Sequence, residues 1–174
     1  MSVDAPSFRR TLAQFATGVT VVTTRDAAGR PLGLTVSAFC SVSLEPPLVL
    51  VCIDHRSEAN RGLRESGLFG VSVLGEHQEN VSRRFAAPGV DKLGGFAFLD
   101  GPLGLPLVPG AVAHLECRVR SFHDEGDHAV WVGEVRGGAA HPGRPLIHHG
   151  GGYKQLDSDA EAGPLGNDPE GGRA

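Results

Sequence analysis

Residues 33–47 read Gly33-Leu-Thr-Val-Ser-Ala-Phe-Cys-Ser-Val-Ser-Leu-Glu-Pro-Pro47, and they follow Gly18-Val-Thr-Val-Val-Thr-Thr24. Val19–Thr24 of the earlier run is β-branched throughout, which marks a strand. Between the two, Asp26-Ala-Ala-Gly29 supplies turn residues for a hairpin into Pro31–Ala38. The later stretch crowds hydroxyls (Thr35, Ser37, Ser41, Ser43) and small side chains into a strand-and-turn region that ends at a double proline. Two readings fit it. One is a strand followed by a polar loop. The other is a surface that lies against a flat ring and binds a phosphate through hydroxyls and backbone N–H groups.

Outward from this segment the pattern stays mainly β. Leu48–Ile53 is a continuous apolar run, and Leu68–Leu74 reads as another strand. In 113–120, Ala113, Leu115, Cys117 and Val119 alternate with His114, Glu116, Arg118 and Arg120, the pattern of a half-buried strand. Asp124-Glu-Gly-Asp127 turns the chain back into Ala129–Val135, which is apolar on both faces. Pro145–His149 is a last short strand. Helical spacing is confined to three short stretches. In Pro6–Thr17, Phe8, Leu12 and Phe15 fall on one face, with Gly18 placed as a C-cap. Ser57–Glu65 has Ser57 as N-cap, and Glu76–Phe85 carries Val81 and Phe85 at i, i+4. The Gly- and Pro-rich stretch 86–110 is expected to have little regular structure. Strands in hairpin connection with two or three short helices predict an antiparallel barrel rather than a doubly wound sheet.

Composition narrows the function classes. The 174 residues carry a net charge of −4, and Lys and Arg are scattered apart from Arg9-Arg10 and Arg83-Arg84. Nucleic acid is therefore not expected as a partner. No apolar run is long enough to span a bilayer, and Met1–Pro6 has no signal-peptide pattern, so a cytoplasmic protein without membrane contact is expected. Residues 1–156 read as one domain. The acidic stretch 157–174 reads as a disordered tail. The three cysteines, 40, 52 and 117, lack a Cys-x-x-Cys spacing. Cys52 and Cys117 sit in apolar β patterns as small core residues. The eight histidines show no metal-ligand spacing, so no metal is expected.

Two further constellations carry chemistry. Gly126-Asp127-His128 opens a strand, and it reads either as a plain turn or as a histidine at a cavity mouth. Ser57 with Asn60, and Arg83-Arg84-Phe85, offer a helix N-terminus and arginines to a phosphate, or are solvated surface charge. No Gly-x-Gly-x-x-Gly follows a strand into a helix, no Gly-x-Ser-x-Gly elbow occurs, and no carboxylate pair or phosphate-binding Gly-Lys-Ser/Thr is present.

In combination these segments resemble the flavin reductase domain family, the short NAD(P)H:flavin oxidoreductases that serve two-component flavin monooxygenases. The resemblance rests on Phe8-Arg9, Phe15–Thr24, Gly33–Phe39, Ser41–Val49, Gly126-Asp127-His128, Gly133-Glu134-Val135 and Gly152-Tyr153 with Leu156, in that order. It implies a split β-barrel of Greek-key, FMN-binding type, assembled as a homodimer. It implies FMN or FAD as the flavin and NADH or NADPH as co-substrate. By position, Thr35, Val36, Ser37 and Ala38 would meet the ring and ribityl chain, and Ser41, Val42 and Ser43 would continue toward the phosphate. Asp54, His55, Arg56 and Ser57 match a stretch near the phosphate or adenylate. Phe85 and Ala86 match a helix end beside the flavin. His128 would position the nicotinamide, and Tyr153 would close the pocket. The chain departs from the family at Ser37, Ala38 and Cys40, where Asn, Ser and Thr or Met are common. The implied activity is hydride transfer from nicotinamide to flavin, with reduced flavin passing to a partner monooxygenase. A flavin-binding carrier or sensor is the alternative. An oxidase of the pyridoxamine-phosphate type would want basic residues in one cluster.

Overall fold

The computed structural model describes residues 3–88 and 92–156; the expected tail at 157–174 lies outside them. In chain order the strands are β1 (Thr17–Gly18), β2 (Thr20–Arg25), β3 (Pro31–Val36), β4 (Phe39–Leu44), β5 (Pro47–Asp54), β6 (Leu68–Val73), β7 (Leu99–Asp100), β8 (Pro106–Leu107), β9 (Ala113–Glu125), β10 (His128–Ala140), β11 (Ile147–His149) and β12 (Gly152–Lys154). The helices are α1 (Ala5–Leu12), α2 (Glu58–Ser66) and α3 (Glu79–Ala86), the last entered through a single 3-10 turn. The chain is thus mainly β with three short helices, as expected.

Seven strands form one antiparallel sheet in the order β3-β2-β6-β9-β10-β5-β4. β3 and β4 are consecutive in the chain yet occupy opposite edges. Only Ser37 and Ala38 join them, and three peptide steps span at most about 11 Å. The sheet must therefore curl until its edges meet at that corner. The linker is stitched down there, with Phe39 N–H donating to Ser37 O at 3.0 Å and Cys52 N–H to Ala38 O at 3.1 Å. No ladder pairs β3 with β4 among the described residues, so the curled sheet stays open along that seam.

β2 lies between two cores, which explains why it shows no alternation. Val22 faces a cluster with Val51, Ile53, Leu63, Phe69 and Trp131, while Val21 faces another with Val19, Leu74, Phe85 and Val108. α2 caps the first core through Ala59 and Leu63. It lies so close to the sheet that a Cβ on Gly62 would stand 2.7 Å from Leu32 Cδ1. α3 covers the second core through Phe85.

Several local expectations are corrected. α1 ends at Leu12, and Gly18 belongs to β1 rather than to a helix cap. The apolar face of α1 is not buried: Phe8 and Leu12 are exposed, and so is Phe15 beyond the end of the helix. The 86–110 stretch contains the β7–β8 ladder, and Leu105, Leu107 and Val108 enter the interior. The continuous apolar run of β5 alternates in burial: Val49, Val51 and Ile53 point into the core, and Leu48, Leu50 and Cys52 are half-buried outside it. Cys52 is therefore not a core residue. Cys117 is, and burial, with Glu116 close by, pushes its thiol up to about 12.

Candidate active site

A cleft of about 960 Å³ opens between β3, the β5–α2 turn, the end of α3 and the segment that follows it. β3 and α3 build its floor. Phe85 is fully buried by T-shaped contact with Phe96, at a centroid distance of 5.2 Å, and by Gly33 above it. A Cβ on Gly33 would come within 3.1 Å of Phe85 Cε1, so the glycine lets strand and ring meet closely. Thr35 also lines the cleft. Its hydroxyl donates to Ser82 O at 2.6 Å. With that proton committed, Thr35 presents an acceptor oxygen to anything in the cleft.

The opposite wall is polar. Asp54 ends β5, and Arg56 folds back on it, with Nη2 to Oδ2 at 2.6 Å and the Arg56 N–H to Oδ1 at 2.8 Å. The Arg56 guanidinium holds the Asp54 carboxyl well below the usual carboxylate range. Ser57 precedes α2 without a side-chain cap bond, so its hydroxyl and the first N–H groups of α2 stay available on the cleft side. That end of the cleft offers hydrogen-bond donors to a phosphate, beside the carboxylates of Asp54 and Glu58, which also line it.

Six of the residues singled out in the sequence meet here: Thr35, Asp54, Arg56, Ser57, Phe85 and Ala86. Two more adjoin them. Tyr153 stands behind Thr35, its hydroxyl 2.8 Å from Ser82 Oγ. His128 is the ladder partner of Asp54 across β10 and β5. Its Nδ1 lies 2.6 Å from Asp127 Oδ1, and this hydrogen bond lowers the Asp127 carboxyl. In the neutral ring the proton then sits on Nδ1, and Nε2 presents a lone pair.

Others lie apart from the cleft lining. The Val36 side chain is in the core. Ser37 and Ala38 are exposed on the link between the sheet edges, and Ser41, Val42 and Ser43 follow on edge strand β4, with Val42 at a bulge. His55 turns to Asn60 and Asp124 instead. Asn60 is not free for a phosphate, being buried against Trp131. Arg83 pairs with Glu79, and Arg84 holds the Lys92 and Gly94 carbonyls, so that arginine pair buttresses the wall. The sequence reading missed Leu32, Leu34, Lys92 and Leu93. No local pattern singles out one lysine in a Gly- and Pro-rich loop.

Comparison with known proteins bears on the whole of this architecture. The sequence profile described as Flavin reductase like domain matches residues 12–157. The chain belongs to that family. Among the similar proteins of this flavin reductase family is the flavin-dependent monooxygenase reductase subunit HsaB of Rhodococcus jostii, 40% identical over 159 residues, which are 91% of this chain and 81% of that one. The FMN reductase (NADH) SmoA of Agrobacterium fabrum is 42% identical over 153 residues, 86% of this chain and 85% of its own. The solved structure of the NADH:FAD oxidoreductase SgcE6 of Streptomyces globisporus C-1027, in complex with NAD and FAD fragments, superposes with a TM-score of 0.84 at 37% identity. It covers 92% of this chain and 99% of that one.

Proposed function

We propose that this flavin reductase passes a hydride from NADH to FMN or FAD and that the reduced flavin supplies a partner monooxygenase. The observation that carries the reading is the cleft itself. Its floor is apolar over Phe85 and Gly33, and its other end offers Arg56, Ser57 and the open N-terminus of α2. That pairing of a flat apolar surface with an anion-suited end fits a flavin nucleotide. The NADH dependence named for SmoA and SgcE6 supports the electron donor. The subunit role named for HsaB supports the partner. A cytoplasmic setting, where NADH is at hand, is part of the same proposal.

The chain's own task is alignment. When bound, flavin supplies the hydride-accepting ring, so the protein needs no acid–base pair of its own. Thr35 accepts a hydrogen bond from a donor on the ring or ribityl chain. Arg56, whose Nη1 is left over from the Asp54 pair, and the first N–H groups of α2 hold the phosphate. His128, fixed by Asp127, takes the carboxamide N–H of the nicotinamide at Nε2. Ser37, Ala38, Ser41, Val42 and Ser43 extend the ring and ribityl contacts along the seam between the sheet edges. Tyr153 backs Thr35 through Ser82.

The open curled sheet is assigned to the split-barrel class, and the working unit to a homodimer. The outer face of β5 and β10 supports the dimer. Val132 pairs with Leu50 and Val130 with Cys52 across the ladder, and all four point away from the core. A contiguous apolar sheet face calls for a partner surface. Anaerobic mixing of the flavin-loaded protein with NADH tests the activity. Rapid loss of the visible absorbance of oxidised flavin is expected. Tight flavin binding without bleaching would make the protein a carrier.

A further inference from the structure

Trp131 is the chain's single tryptophan, and it lies in the core with 1% of its surface exposed. Its indole can only donate, and Nε1–H reaches Asn60 Oδ1 at 3.0 Å. That bond fixes which way the Asn60 amide points. The NH2 group therefore faces His55 Nδ1, 3.2 Å away, and Nδ1 must accept. In the neutral ring of His55 the proton sits on Nε2. The His55 backbone N–H donates in turn to the Asp127 carbonyl at 3.1 Å. Asp124, at the end of β9, lies 3.9 Å from His55 Nδ1 and 2.7 Å from Arg64 of α2. The end of β5, α2, the end of β9 and the start of β10 all meet around one buried amide.

We propose that Asn60 is a positioning residue for the nicotinamide side of the reaction: its amide joins Trp131 to His55 and so fixes the turn 124–128 that presents His128. The proposal rests on the reading of His128 given above. Packing alone does not call for an asparagine here. A leucine would fill the space, yet it would leave the Trp131 N–H and the His55 Nδ1 without partners. On the reading above, the flavin ring would meet β3 and α3 and its phosphate would meet Arg56 and the first backbone N–H groups of α2, so flavin would touch neither the Asn60 amide nor the His55 and Trp131 rings.

Two variants of the full chain test the proposal, each assayed with FMN and NADH. Asn60→Leu is expected to lower kcat/KM for NADH on the order of tenfold, the scale of a sub-ångström misplacement, while the dissociation constant of FMN stays within about twofold. Asn60→Asp keeps the acceptor for Trp131 and turns a second acceptor toward His55 Nδ1, which the neutral ring meets by carrying its proton on Nδ1 instead of Nε2. This variant is therefore expected to keep kcat/KM for NADH within about twofold of wild type. Trp131 emission reports the network apart from turnover: it is expected to shift in Asn60→Leu, where Nε1–H loses its acceptor, and to stay near wild type in Asn60→Asp. Equal losses of FMN and NADH binding in Asn60→Leu, or an Asn60→Asp variant as impaired toward NADH as Asn60→Leu, would overturn the proposal. His128→Ala with unchanged NADH kinetics would instead remove the reading of His128, while the shift of Trp131 emission in Asn60→Leu would stand.

Discussion

Gly133 sits in the middle of β10, opposite Val49 on one side and Val119 on the other. Replacing it by alanine adds one methyl group. That carbon would stand 2.5 Å from Phe69 Cε1 and 2.9 Å from Cys117 Cβ, with Phe69 Cζ nearer still. Carbon atoms pack at about 3.5–4.0 Å, so the overlap is about 1 Å against the ring. Phe69 and Cys117 are both fully buried, and neither has room to withdraw. Overpacking of this kind costs about 1–3 kcal/mol, and a clash on two immobile neighbours belongs at the upper end. A loss of about 3 kcal/mol corresponds to a fall in Tm of roughly 6–12 °C for a chain of this size. Urea and thermal unfolding of Gly133→Ala, read by circular dichroism, measure it. Phe69→Leu combined with Gly133→Ala should recover part of the loss, because the shorter side chain vacates the contact. A Gly133→Ala variant within about 0.5 kcal/mol of wild type, the range of an ordinary surface substitution, would refute the reasoning. Gly133 would then be tolerated, not required, against Phe69 and Cys117.

Three other outcomes are expected. Arg56→Ala should weaken FMN about fivefold, since an exposed charged contact is worth about 1 kcal/mol. Riboflavin, which lacks the phosphate, should be unaffected, and equal changes for both ligands would exclude the phosphate role. If the proposed homodimer forms through the outer apolar face, Leu50→Glu should convert it to monomer in light scattering, because Leu50 is the ladder partner of Val132 on that face; a dimeric mass unchanged by the substitution would place the interface elsewhere. Cys117 gives a pH signature. Its thiol is raised from an ordinary value of 9.0 to about 12 by burial, so its contribution to stability is complete below the unfolded-state value and is lost as the pH rises through the folded one. Between pH 9 and 12 the wild type should lose up to about 1.4 kcal/mol more per pH unit than Cys117→Val in urea unfolding. Parallel curves would show that the thiol does not ionise on unfolding there.

What the sequence makes legible is local. The alternation Ala113–Arg120 marks β9, the β-branched run at 19–24 marks β2, and Gly126-Asp127 marks the hairpin whose turn needs a positive φ, here 63° at Gly126. The hydroxyl-rich segment marks Thr35, and the helical spacing that ends at Phe85 marks the cleft floor. Periodicity, however, says that a face is apolar without saying what covers it. Phe8 and Leu12 stand four residues apart on α1 as expected and still are exposed, while Phe15 falls beyond the helix and is exposed too. Pairing at long range is equally silent. Asn60 reads as a helix-terminal phosphate candidate because its indole partner is 71 residues away. Cys52 reads as core because its run is apolar throughout, whereas β5 has a second apolar face outside the core.

The hydroxyl-rich segment acquires its meaning from the order of the sheet. β3 and β4 are neighbours in sequence and opposite edges in space, so each has one paired side only, β3 against β2 and β4 against β5. On an antiparallel edge strand every second N–H and C=O points away from its single partner. Such groups call for another strand, for solvent or for a ligand. Closing the sheet would have consumed them in a ladder between β3 and β4. The two-residue link at Ser37-Ala38 instead brings the edges together at one corner and lets them diverge beyond it, and the cleft over Gly33 and Thr35 occupies one side of that seam. Apolar residues at 41 and 43 as well as at Val42, which is exposed, would leave a bare adhesive edge. The hydroxyls of Ser41 and Ser43 on either side of Val42 keep that edge polar. The polar-loop reading and the ligand-surface reading of residues 33–47 are therefore consequences of one geometric fact: the sheet curls and does not close.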